Sequence, residues 1–248
     1  MESGFNGGRD MRKMEIFEKL NTVINNAYGT CALMGNLQAE SGLRSTNLQN
    51  SYEKKLGYTD TTYTEAVDNG KYVNFVKDCA GYGLAQWTYW SRKQNLLNFA
   101  KKNGKSIGDC EMQIDFLLWE LQTGYKAILN ALKLASNVRS ASDVVLKQFE
   151  RPANQSEAAC AYRASLGQAI YNEIMAQKDD YNSNKGCYKI PEYTGSSIID
   201  ALKSIGVDSY KAFRTKIAKA NGIENYTGTA SQNKKMLSLL KEGKLKEV

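Results

Sequence analysis

Histidine is absent from all 248 residues. That excludes an imidazole base, a nucleophile relayed through histidine and a histidine-ligated metal, and leaves carboxylates, Lys, Tyr, Ser and Cys to carry any catalysis. Proline is nearly absent, 2 residues against 20 glycines, and no apolar run approaches the roughly 18–20 residues that a bilayer span needs. Collagen-like, low-complexity and membrane-spanning readings therefore fall. The cysteines Cys31, Cys79, Cys110, Cys160 and Cys187 are odd in number, widely spaced and without a CxxC pair. They read as neither a disulfide framework nor a zinc signature, and a thiol nucleophile would lack its usual histidine base. No carboxylates stand at EF-hand spacing, so neither a metal nor another cofactor is expected. The first thirteen residues, MESGFNGGRDMRK, carry glycine and charge but no apolar stretch. They read as a leader or linker rather than a signal peptide, with synthesis in a cytoplasm as the matching expectation.

What is present is charge of one sign at one end. The chain carries a formal +7, and residues 195–248 hold ten Lys and Arg against five acids, so +5 of the excess lies in the last fifth. Such a segment suits an anionic partner: nucleic acid, an acidic membrane face or an anionic wall polymer. A solvated helix face and a DNA-recognition helix in SYKAFRTKIAKANG are the competing readings of the same charge. The polar stretch 179–197, with a proline and two glycines, reads as a boundary. Four segments are expected: a leader at 1–13, a main domain at 14–178, a linker at 179–194 and a C-terminal module at 195–248. Within the last, Ser197, Ser209 and Thr229 precede three short helical patterns, each closed by a glycine, which is enough for a small three-helix bundle.

The main domain reads as mostly helical. Ile114, Leu117, Leu118 and Leu121 repeat at i, i+3, i+4, i+7, Leu96, Leu97 and Ala100 form a shorter stripe, and Val144, Val145 and Phe149 follow a candidate cap at Ser142. Residues 158–175 form an Ala-rich helix. The exception is 51–82, where Gly, Asp, Asn and Thr mix with Tyr52, Tyr58, Tyr63, Tyr72, Phe75 and Tyr82; irregular structure with a short hairpin is expected there, and such aromatics can stack on pyranose rings.

The chemistry concentrates in CALMGNLQAESGL. An apolar helix over 31–39 runs into Glu40, and Gly42 stops it. The C-terminal end of a helix carries partial negative charge and disfavours an ionised carboxylate, so Glu40 is expected to hold its proton unusually well. That property suits a group that protonates a glycosidic oxygen.

Glu40 in AESG, followed by Gly83-Leu84-Ala85-Gln86 ahead of a helix, resembles the lysozyme-like superfamily of goose-type lysozymes and soluble lytic transglycosylases. More narrowly, GNLQAESGL, GYGLAQWTYWSRKQNLLNFA, EMQIDFLLWEL and FERPANQSEAACAYR, in order over residues 16–175, resemble the phage tail lysozyme family. The resemblance implies a mainly α fold, namely a lysozyme-like helical domain with a small irregular or β-hairpin region plus the three-helix module. It implies a peptidoglycan hydrolase cleaving the β-1,4 bond between N-acetylmuramic acid and N-acetylglucosamine, with Glu40 as general acid. Ser41, Gly83, Leu84 and Gln86 would line the cleft, with Tyr82 and Trp87 as sugar-contacting aromatics. Tyr162 falls where transglycosylases carry Ala-Tyr-Asn, with Arg163 in place of the Asn. Asp78, five positions before Gly83, matches the second carboxylate of goose-type lysozymes; as a base activating water it would stand about 6.5–9.5 Å from Glu40 and invert the anomeric centre. Glu53, Asp60, Glu65 and Asp68 are alternatives for that base. Without any of them, attack by the muramic acid 6-OH would give a 1,6-anhydro sugar, the transglycosylase outcome. The C-terminal module resembles wall-binding modules of phage and clostridial-type hydrolases, with Arg214, Tyr226 and Asn233 as candidate contacts to wall polymer. Peptidoglycan, with anionic wall polymers, is then the expected partner, reached by holin-dependent or virion-borne delivery; nucleic acid and a membrane span are not expected. A phage tail structural component is the reading of another class.

Overall fold

A computed structural model describes residues 7–183, 186–190 and 192–248. Its regular structure consists of twelve α-helices and one π-helix, with isolated bridges in place of strands among the described residues. The chain divides into two compact units, the first ending at Ile174 and the second beginning at Met175.

The first unit is built around α2 (Ala27–Ser41), which α1 (Gly7–Ile24), α7 (Lys126–Lys133) and α8 (Val138–Val144) surround. Residues Gly29 to Leu37 of α2 are all buried, as expected of a helix apolar on every side. Asn26 caps it, accepting from Gly29 N–H while its amide donates to the carbonyls of Lys133 and Ala135. Two glycines permit the close packing. A Cβ at Gly29 would stand 2.1 Å from the Leu132 carbonyl oxygen, and one at Gly35 would stand 2.4 Å from the backbone nitrogen of Gly167 in α9 (Glu157–Ser183). α2 and α9 therefore cross backbone to backbone at this point, which fixes what stands one turn away on each. The stripes of α5 (Trp90–Lys102) and α6 (Cys110–Thr123) pack inward as their periodicity predicts, with Leu96, Ala100, Ile114, Leu117, Leu118 and Leu121 buried.

Several local expectations are corrected. Gly7 to Lys13 lie in α1 rather than in a linker, while residues 1–6 of the expected leader fall outside the described residues. Segment 51–82 is not irregular throughout: α3 (Asn50–Leu56) and α4 (Asp60–Asp68) occupy its first half, and Thr59 caps α4 through a capping box. In place of a hairpin there, Tyr82 makes single bridges to Leu48 and Trp87. Ser142 is not a cap; Asn137 caps α8, and Ser142 is buried inside it against Asn36. After α8 the chain widens into the π-helix Val145–Glu150.

The second unit packs α10 (Ile198–Ser204), α11 (Lys211–Ala220) and α12 (Ala230–Lys241) around Ile198, Leu202, Ile217, Met236 and Leu240. Ser197 and Thr229 cap α10 and α12 as expected, but Ser209 does not cap α11, whose cap position is Tyr210 with no side-chain bond. The expected linker at 179–194 is also replaced. α9 continues to Ser183, residues 184–185 and 191 lie outside the described residues, and Cys187 pairs with Lys246 while Tyr188 N–H donates to the Leu245 carbonyl. Tyr188, Ile190 and Tyr193 pack on the unit's core, because a three-helix module this small needs extra apolar cover.

Candidate active site

Glu40 stands in the last turn of α2, where Gly42 turns left-handed (φ +64°) and its N–H closes on the Gln38 carbonyl. The helix therefore ends at a cleft of about 980 Å³ in the first unit, lined by Glu40, Ser41, Asn47, Gln49, Tyr52, Gln86, Tyr89, Arg92, Glu150 and Arg151 among others. A second cavity of about 700 Å³, reached from Lys13, Gln38 and Leu43, is lined by no carboxylate among the described residues.

Of the Gly83-Leu84-Ala85-Gln86 turn, Ala85 and Gln86 line the cleft, whereas Gly83 and Leu84, expected to line it, are buried beneath. Gly83 has φ +76°, and a Cβ there would strike the Gln113 amide at 2.6 Å. Buried Gln113 locks the turn, accepting from Leu84 N–H and donating to the carbonyls of Ser45 and Ile107. The Ser41 hydroxyl donates to the Leu84 carbonyl at 2.9 Å, tying the end of α2 to this turn. Gln86 lines the cleft and donates to the carbonyls of Asn47 and Gly83.

Arg163 of α9 reaches Glu40 from the Gly35–Gly167 crossing, with 2.5 Å between Nη2 and Oε1. Asn36, one turn before Glu40, is held by the Ala32 carbonyl and the Ser142 hydroxyl and turns its own oxygen toward Arg163 at 3.5 Å. Tyr162, by contrast, is 60% exposed and does not line the cleft. Its neighbour Arg163 is the residue of that pair that meets Glu40.

Tyr82, Trp87 and Asp78, all expected at the site, also lie elsewhere. Tyr82 and Trp87 are fully buried: Tyr82 shares a hydrogen bond with Thr64, and the Trp87 indole N–H donates to Glu120 at 2.8 Å. Neither presents a face to a sugar. Asp78 does not line the cleft either. Its side chain is 2% exposed, Oδ1 pairs with Lys93 Nζ at 2.5 Å and accepts from Ala80 N–H, and Oδ2 accepts from the hydroxyls of Tyr63 and Tyr72. The rings of Tyr58, Tyr63, Tyr72, Phe75 and Tyr82 pack against one another around this pair. Burial, reinforced by Asp78, pushes the Tyr63 and Tyr72 phenols well above their ordinary range, and burial pulls the Lys93 ammonium down. With every acceptor lobe engaged and no open face, Asp78 is poorly placed to activate water. The alternatives Glu53, Asp60, Glu65 and Asp68 do not line the cleft; Asp60 binds Arg44 and the Leu48 N–H, and Asp68 binds Ser106 and the Ile107 N–H.

The carboxyl that shares the cleft with Glu40 is Glu150, which the sequence reading passed over. It is the last residue of the π-helix, and Arg151 follows in a left-handed conformation (φ +48°) before Pro152. Its Oε1 is buried without a hydrogen-bond partner. Burial, then the negative charge of Glu40, push the Glu150 carboxyl up to about 8 despite opposition from Arg92 and Arg163. Arg92 forks onto Glu120, two bonds of 2.8 Å, and lies over the Phe149 ring. The signal was available: Glu-Arg-Pro ends a helix at a carboxylate just as Glu-Ser-Gly does, because a residue before proline leaves the helical region.

In the second unit Arg214, Tyr226 and Asn233 do come together, but facing inward. Arg214 Nη1 donates to the Tyr226 hydroxyl at 2.6 Å and to Asn233 Oδ1 at 2.9 Å, and it is 8% exposed. Their mutual bonds hold the fold, and of the three only Arg214 borders a shallow groove of about 690 Å³, whose exposed groups are Lys203, Asp208, Tyr210 and Lys211.

Among the described residues no group of three or more His, Cys, Asp or Glu could hold a metal ion, and no helix is long and apolar enough to cross a membrane. The family model described as phage tail lysozyme matches residues 13–174, well over half the chain. No curated protein shows a significant match.

Proposed function

The chain belongs to the phage tail lysozyme family, and from that premise and the cleft's geometry we propose that it is a peptidoglycan hydrolase of the lysozyme type, cutting the β-1,4 bond between N-acetylmuramic acid and N-acetylglucosamine. The observation that carries the reading is the placement of Glu40 at the end of α2, open to a cleft that Ala85 and Gln86 also line. Glu40 delivers a proton to the glycosidic oxygen as the bond breaks. Ser41 and Gln86 line the cleft, Asn47, Gln49 and Asn50 offer amides to hydroxyl and acetamido groups, and Tyr52 and Tyr89 supply the ring faces once expected of Tyr82 and Trp87.

In the resting protein Arg163 pairs with Glu40 at 2.5 Å, a contact that places the carboxyl at the end of α2. The second unit serves as a wall-binding module through its basic groove at Lys203, Tyr210 and Lys211, raising local substrate concentration by tethering. The transglycosylase reading on the same bond is favoured by one observation: with Asp78 withdrawn from the cleft, the second carboxyl there among the described residues is Glu150, which burial keeps protonated to about pH 8 and so makes a weak base for water.

Mass spectrometry of fragments released from purified peptidoglycan, without borohydride reduction, tests the assignment. Reducing-end muramic acid establishes the hydrolase, and anhydro-muramic ends, one water lighter, establish the transglycosylase. The absence of fragments from several wall types would overturn both and leave a tail structural role.

A further inference from the structure

Asp78, Glu120 and Glu40 each have a cation: Lys93 at 2.5 Å, Arg92 at 2.8 Å and Arg163 at 2.5 Å. Glu173 has one too, since its Oε1 is unpartnered but its Oε2 pairs with Lys13 at 2.7 Å. Glu150 has none among the described residues, and its Oε1 lies buried with no partner at all. An ionised carboxylate in that position is costly, whereas a protonated one is not. The chain nevertheless holds it there by a π-helix, a left-handed Arg151 and a proline, the kind of irregular backbone that recurs at functional sites.

From the orphaned Glu150 oxygen and the cleft that Glu150 shares with Glu40 we propose that Glu150 is the resting site of the catalytic proton. One proton serves both carboxyls: it sits on Glu150 in the free protein and passes to Glu40 when a glycan strand fills the cleft. The inference deepens the proposed function and rests on it. Glu150 acts through Glu40 and is a positioning residue for its proton. The balance closes in both chemical outcomes. The Glu150 O–H bond breaks as its proton passes to a water of the cleft, which gives up a proton of its own to form the Glu40 O–H bond, and that proton then moves to the leaving sugar oxygen as its bond to C1 breaks. The attacking water, or the 6-OH, forms the new bond to C1 and returns its own proton to the pair.

The groups that bear on Glu150 come from four helices: Glu40 on α2, Arg92 on α5, Glu120 on α6 and Arg163 on α9. Tyr125 lies under the Arg92 guanidinium, and Arg151 follows in the chain at the cleft wall. Arg92 and Arg163 lower the proton affinity of Glu150, while Glu40 and Glu120 raise it. Burial adds to the latter and sets it at about 8.

The test is the pH profile of turnover on purified peptidoglycan by the full chain and by Glu150→Gln, Glu150→Asp and Glu40→Gln. Wild-type turnover is expected to fall away on the alkaline side near the Glu150 value of about 8. In Glu150→Gln that limb should move acid by a pH unit or more, with kcat at neutral pH down roughly tenfold to a hundredfold and KM little changed. Glu150→Asp should restore part of both. A Glu150→Gln profile that superimposes on wild type overturns the proposal. If that variant does not fold, the infrared carboxyl band of the wild-type protein decides: a protonated carboxyl present at neutral pH and gone by about pH 9–10 supports it, and no such band overturns it. The two readings fail differently. Retained turnover in Glu40→Gln sinks the site itself, whereas an inactive Glu40→Gln beside an unmoved Glu150→Gln sinks only the proton store.

Discussion

The first unit buries carboxylate oxygens of Asp78 and Glu150 and treats them in opposite ways. Asp78 receives Lys93, two tyrosine hydroxyls and a backbone N–H; Glu150 leaves an oxygen without a partner. Buried polar groups are almost always satisfied, so full satisfaction identifies Asp78 as part of the scaffold. The unsatisfied group is the one with something left to bind. Nearness to a motif in sequence pointed to Asp78, but the state of its hydrogen bonds points to Glu150.

The largest expected effect separates the cleft from everything else. Glu40→Gln removes the proton donor with almost no change of volume, and turnover on peptidoglycan should fall by about 10³-fold or more. The melting temperature should stay within a few degrees, because Arg163 keeps an oxygen to bind. Wild-type lysis by this variant would move the acid elsewhere. The next effect is the reverse in kind. Asp78→Asn strands a fully buried Lys93, and loss of one partner of a buried pair costs about 3–5 kcal/mol. A melting temperature lower by roughly 6–20 °C is expected, with turnover of the folded fraction at low temperature near wild type. Should Asp78→Asn melt normally yet lose turnover, Asp78 would be the base that its position before Gly83 suggested, and the contrast between the two carboxylates would collapse.

How far the sequence carried follows the same divide. Helix stripes, the Ser197 and Thr229 caps and the position of Glu40 were legible because each depends on neighbours within about one turn. The Asp78–Lys93 pair was not: Lys93 sits in α5 among Arg92, Gln94 and Asn95 and looks like a surface charge until Tyr63, Phe75 and Ala80 close over it. Periodicity gives no sign of whether Tyr82 and Trp87 face a sugar or Thr64 and Glu120. Arg214, Tyr226 and Asn233 were grouped correctly but turned the wrong way, since a basic helix in a small module must also use some of its charge inside. Glu150 was legible and missed: FERP carries the same helix-end carboxylate that AESG does.

A third prediction uses pH to compare the two carboxylates without any substrate. Glu150 titrates at about 8 in the folded chain against an ordinary 4.5, so the folded state binds its proton more tightly than the unfolded state. The resulting stability is fully present below about pH 4.5 and is lost as pH rises toward 8. Glu150→Gln has no proton to lose. Its melting temperature should match wild type at about pH 4–5 and exceed it at about pH 9, by an amount corresponding to a few kcal/mol at most. Equal melting temperatures at both ends would mean that Glu150 is solvated and ordinary.

The smallest effects come from two tyrosines. The Tyr72 hydroxyl reaches Asp78 at 3.2 Å; Tyr89 stands 64% exposed on the cleft wall. Tyr72→Phe deletes one hydrogen bond to a carboxylate that keeps three other partners, so stability should fall by about 0.5–1.5 kcal/mol with KM unchanged. Tyr89→Ala deletes a ring with little burial in the free protein, so melting should barely move. If the ring lies under a sugar in the complex, however, roughly 1 kcal/mol of contact is lost, which raises KM about fivefold. The two changes therefore move different observables, stability for one and KM for the other. A Tyr89→Ala variant that lost stability, or a Tyr72→Phe variant that raised KM, would show that scaffold and cleft are not divided along the line drawn by Asp78 and Glu150, since each aromatic would then belong to the region opposite the one its hydrogen bonds and exposure assign.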